Sequence, residues 1–103
     1  MSSHQEPVHL NNHHRDTLIR LFQHPTSHNI EWPDVASLLG VVGTIAEHRD
    51  GKFEVRVGTE VHFFERPKHK DIDVQQVVDL RRMLTAAGYL EVVKGFESQG
   101  RED

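Results

Sequence analysis

The sequence predicts an α+β domain: a three-stranded antiparallel sheet with helices packed on one face, in the order helix, strand, strand, strand, helix, preceded by one extra N-terminal helix. Three observations predict it. Phe53, Val55 and Val57 alternate with Lys52, Glu54 and Arg56, a period of two that sends the apolar set to one side of a strand and the charges to the other. Turn residues bracket that run, Asp50-Gly51 before it and Gly58 after it, where a hairpin needs positive φ. Val77, Leu80, Leu84 and Ala87, flanked by Val78 and Met83, recur at helical spacing further on, which gives the strongest amphipathic stripe in the chain.

Taken in order, residues 1–10 are polar, include Pro7 and show no period, and are expected to be a flexible lead-in. Asn11 or Asn12 can cap a first helix over about residues 13–23. Leu18, Leu21 and Phe22 line one side of it, and Pro25 stops it, because the residue before a proline is pushed out of helical angles. A second helix is expected at Trp32, with Pro33 in its first turn and Asp34 favourable to its dipole. Val35, Leu38 and Leu39 form its apolar face, Trp32 adds a core anchor, and Gly40 reads as the residue just past its end. Residues 41–47 are expected as the first strand, on their β-branched content, with 52–57 and 61–65 completing the meander. Asp71 or Asp73 caps the last helix, over residues 74–87, and Gly88 closes it. Residues 89–92 are expected to pack back as a short extension. Residues 93–103, charged and glycine-containing, are expected to be a flexible tail, leaving 11–92 as a single domain.

The 103 residues are enough for one small core, not two domains. Sixteen acids against 12 Lys and Arg give a net charge of −4, which does not suit a chain that grips nucleic acid with its whole surface. The cations are concentrated, however: Arg49, Lys52, Arg56, Arg66, Lys68 and Lys70 all fall in the hairpin segment. With no cysteine, disulfides, thiolate metal sites and thiol redox chemistry are excluded. The start MSSHQEPVH carries neither a cationic run nor an apolar one, so no signal peptide is expected, and no stretch approaches membrane-spanning length. The expectation is a soluble cytoplasmic protein.

Four segments, VASLLG (35–40), RDGKFEVRV (49–57), VHFFERPKHK (61–70) and LRRMLTAAGYL (80–90), in that order, resemble the small HicA-type toxins over roughly residues 30–90. The more telling features are the Leu84 to Gly88 helix end and the Arg66-Pro67 exit from the third strand. FQHPTSHNIEW (22–32) looks like an extension found in one branch of that family. Members of the family are mRNA interferases of type II toxin–antitoxin pairs, with a fold like the double-stranded-RNA-binding domain. The resemblance therefore implies that fold, an mRNA ligand held on a basic surface, and a cognate antitoxin protein as partner. Active members share a Gly-Ser-His-His lead into the second strand, whose histidine is taken as the catalytic group. Here the segment reads Gly51, Lys52, Phe53, Glu54, so no gap-free match puts an imidazole there.

A metal-independent endoribonuclease needs a base for the 2′-hydroxyl, an acid for the leaving oxygen and a cation near the developing phosphate charge. His48, His62 and His69 lie on or beside the meander and are the candidate catalytic residues. Arg49, Lys52, Arg56, Arg66, Lys68 and Lys70 are the candidate phosphate contacts. Alternation places His62 on the face opposite Val61 and Phe63, which predicts an exposed His62, with Phe64 beside it either stacking on a base or covering a core edge. His24 and His28 have a spacing that would suit zinc on a helix, but Pro25 breaks that helix, so no metal site is expected. With no Gly-rich phosphate loop or nucleophile elbow, no cofactor is expected either. Three readings follow: an mRNA-cleaving toxin with a displaced histidine; a non-catalytic RNA-binding or protein-interaction module of the same fold; and an unrelated adaptor that pairs its sheet edge with another chain. The residues by themselves favour binding over cutting.

Overall fold

The computed structural model describes residues 10–100; residues 97–100 are described in backbone only. Its elements are α1 (Asn12–Leu21), α2 (Trp32–Val42), β1 (Thr44–Glu47), β2 (Lys52–Val57), β3 (Glu60–Glu65), α3 (Val74–Ala86) and α4 (Tyr89–Gly100). The three strands form one antiparallel sheet in the order β1-β2-β3, with the helices against one face, so the α+β layout read from the sequence holds. Among the described residues no helix is long and apolar enough to cross a membrane.

Local chemistry accounts for most boundaries. The Asn11 side chain accepts the His14 N–H at 2.8 Å and starts α1. Pro33 occupies the first turn of α2, and Asp34 lies beside it. Asp73 and Gln76 form a reciprocal capping box at the start of α3. Gly51 and Gly58 adopt φ of 88° and 61° in the two hairpin turns.

The core lies between the inner sheet face and the helices. Phe53, Val55, Val57 and Phe64 point into it from the sheet, and Leu18, Leu21, Val35, Leu38, Leu39, Val77, Leu80, Met83 and Leu84 from the helices. Trp32, partly buried, packs its ring 5.1 Å from that of Phe53. Arg81 on α3 ties down the end of α1, donating from Nε to the Leu21 carbonyl at 2.8 Å.

Three expectations are corrected. The first strand does not begin at residue 41: α2 continues through Gly40 to Val42, because Val42 extends the buried row of Leu38 and Leu39. Burial there outweighs the strand preference of two valines. The tail expected to be flexible from residue 93 is helical to Gly100. Tyr89 and Val93 are buried, Phe96 packs on the same core, and the Arg15 guanidinium sits 4.6 Å over the Phe96 ring. That stripe at i, i+4, i+7 is legible in the sequence, but Lys94 and Gly95 obscure it. Leu10, assigned to the flexible start, is buried. Residues 1–9 and 101–103 of the two expected flexible ends lie outside the described residues.

One feature was not visible in the sequence. The segment before α2 pairs with the segment before α3: Ile72 donates to the Ile30 carbonyl and Trp32 to the Lys70 carbonyl, both at 2.9 Å. Ile30 and Ile72 are buried beneath this pairing. It anchors the loop that carries Lys68, His69 and Lys70.

Candidate nucleic-acid interface

The strand register decides which candidate residues meet. Lys52 faces Glu65 across β2 and β3, so the β1–β2 turn and the loop leaving β3 lie at the same end of the sheet. Lys52 and Arg66 line one shallow depression there with Asp50, Gly51 and Glu65. Arg49 lies in the adjoining turn, and residues 66–70 continue along the rim of a larger cleft of about 510 Å³ that Arg66, Lys68 and His69 line. Arg49, Lys52, Arg66 and Lys68 therefore gather at one end, and Lys70 follows them in the chain, paired with Glu31 before α2. Arg56 is the exception, lying further along β2 opposite Val61.

Several of these cations are already occupied. Arg56 bonds Glu54 Oε2 at 2.6 Å through Nη2. Arg66 pairs with Glu47 and lies over the Phe53 ring at 5.4 Å. Lys70 is 3.4 Å from Glu31. Exposed pairs of this kind contribute little stability, about 0–1 kcal/mol each, but each carboxylate competes with a phosphate for its cation. Among the described residues, the side chains of Arg49, Lys52 and Lys68 make no ion pair.

The candidate histidines His48 and His62 stand on opposite faces of the sheet. His48 lies on the outer sheet face, its Nε2 2.9 Å from Glu54 Oε1 and its ring 5.9 Å from that of Phe63. His62 lies on the inner face, half-buried, 3.3 Å from Glu60 and stacked near-parallel to Phe64. His69 is exposed in the loop after β3. A base and an acid acting on one phosphodiester must both reach it, and a sheet separates His48 from His62. His62 stands on the face opposite Val61 and Phe63, as alternation predicts, and its side chain is 36% exposed, part-buried rather than in the core. The outer face of β3 carries Val61 and Phe63, at 44% and 60% exposure, while Phe64 is buried beside Phe53, its partner on β2. Phe64 is thus a core residue, and the aromatic that faces solvent is Phe63.

Glu54, not among the candidate site residues, is the hub of the outer face. It accepts from both His48 and Arg56, and these hydrogen bonds, that from His48 first, hold its carboxyl below the ordinary value. Its position two residues from Arg56 on the same strand face was the available sequence signal. Between α1 and α2, His13 bonds Asp34 at 3.1 Å and His14 bonds Ser37 at 2.9 Å. Comparison with protein-family models, with curated proteins and with solved structures finds no match to this chain.

Proposed function

We propose that this chain is a toxin-like, cytoplasmic RNA-binding module that holds mRNA without cutting it, with a cognate antitoxin protein as the partner that masks it. One observation carries the reading: the pairing of Lys52 with Glu65 sets the β1–β2 turn, with Arg49 and Lys52, beside the segment leaving β3, with Arg66 and Lys68, at one end of the sheet. Unpaired cations in exposed loops suit a flexible phosphate chain, because each neutralised phosphate releases counterions. The separation of His48 from His62 by the sheet favours holding over hydrolysis. The overall charge of −4 confines the grip to this end.

A second reading, a protein-interaction module of the same fold, is favoured by the exposed Phe63 on a charge-balanced outer face. Titrating a labelled single-stranded RNA against salt separates the two. The RNA reading expects log affinity to fall linearly with log salt, by about 0.7 per phosphate contacted. Replacing Arg49, Lys52 and Lys68 together by Ala should lower the slope by about two units and the affinity by about tenfold or more in 0.1 M salt. On expression in bacteria, cellular mRNA should stay intact. A flat salt response, or a slope that the triple variant leaves unchanged, removes the RNA reading and leaves the protein-interaction one.

A further inference from the structure

The main-chain N–H of His48 donates to the Lys52 carbonyl at 2.8 Å. In an antiparallel ladder, alternate residues direct their polar groups to opposite neighbours. Lys52, Glu54 and Arg56 therefore bond toward β1, and Phe53, Val55 and Val57 toward β3, where their partners are Phe64, His62 and Glu60. Val61, Phe63 and Glu65 are left directing N–H and C=O outward from the edge of the sheet. The Glu65 carbonyl is taken by Gln76 Nε2 at 3.2 Å. Among the described residues, the main chains of Val61 and Phe63 have no such partner. The same two residues carry the exposed apolar side chains of the sheet. Unpaired edge groups beside exposed apolar side chains form a template for another strand.

We infer that two copies of this chain associate through β3, antiparallel about a two-fold axis at His62, joining their sheets into one of six strands. The strand is complementary to itself in this register. Val61 pairs with Phe63 of the second copy, and Phe63 with its Val61, so the outward main-chain groups bond each other and the two exposed apolar pairs cover one another. Within each chain Arg56 stands opposite Val61 and Glu54 opposite Phe63. Each outer-face row therefore runs from Arg56 through the apolar pair to Glu54 of the second copy, and no like charges meet. An axis at Phe63 would instead set Val61 against Glu65 and demand the carbonyl that Gln76 holds. The contact is small, below the roughly 1,200 Å² of a stable complex, so the dimer is expected to be weak, with a Kd of about micromolar or above.

Sedimentation equilibrium tests the inference. The chain should weigh 11.9 kDa when dilute and approach twice that at about 100 μM and above. Val61→Pro removes an outward N–H that the protein's own ladder does not use, and Phe63→Asp places a charge on the contact. Both should stay monomeric with unchanged circular dichroism. If Val61→Pro unfolds, Phe63→Asp decides alone, its side chain being exposed. The chain has no cysteine, so His62→Cys reports the register without background. Residues facing each other across the axis come to about 4.5 Å between Cα atoms, within disulfide reach, and His62→Cys should cross-link under mild oxidation faster than Phe63→Cys. A wild-type chain that stays monomeric at hundreds of micromolar, a dimer that survives both interface variants, or faster cross-linking at position 63 overturns it.

Discussion

Phe63 and Phe64 are neighbours in the chain and stand on opposite faces of the sheet, the first 60% exposed and the second 7%. That division orients every other residue of β3. It sends His62 to the helix side with Phe64, and Val61 to the open side with Phe63, where His48, Glu54 and Arg56 also lie. A one-residue change of strand register would exchange the two sets.

Truncating the two rings should therefore have very different consequences. Phe64→Ala should cost about 3–5 kcal/mol, because it opens a cavity beneath the sheet. Phe63→Ala should stay within about 0.5 kcal/mol, as surface substitutions do. Urea unfolding of both variants measures the difference, and equal losses would show the faces to be wrongly assigned.

Gly43 joins α2 to β1 where the backbones run too close for a side chain. A Cβ there would collide with the Arg56 carbonyl oxygen, which belongs to the residue opposite Thr44. Gly43→Ala should destabilise by about 1–3 kcal/mol through forced displacement of backbone, lowering the thermal midpoint. Gly40→Ala, with open space around the added methyl, should instead leave stability unchanged or raise it slightly, since alanine is the better helix former.

The outer face should leave a signature in acid. Hydrogen bonds from His48 and then Arg56 lower the Glu54 pKa from 4.5 in the folded state. A carboxyl depressed by folding binds fewer protons folded than unfolded, so its contribution is complete above about pH 4.5 and fades as pH falls through the folded value. Wild type should thus exceed Glu54→Gln in urea midpoint at neutral pH, by a small margin, and lose that advantage on acidification. A margin that does not shrink as the pH is lowered below about 4.5 would mean that something other than the carboxylate produces it.

The sequence alone determined the element types wherever a local pattern carried them. Alternation at 52–57, glycines at 51 and 58, caps at Asn11 or Asn12 and at Asp71 or Asp73, and the stripe through Leu80 and Leu84 were all legible, because each depends on neighbours a few residues away. Tertiary structure decided the rest. It drew Val41 and Val42 into α2 and continued the chain beyond residue 92 as helix, since the burial of Val42 and Val93 and the packing of Phe96 come from distant segments. It also chose the buried side of β3, which the run of apolar residues through Phe63 and Phe64 left ambiguous. The candidate cations were found by composition, but their gathering and their carboxylate partners were not: Glu47 with Arg66 and Glu31 with Lys70 are contacts between residues remote in the chain. A side chain's chemistry is written at its own position, whereas its partners and its exposure depend on which surfaces the folded core leaves uncovered.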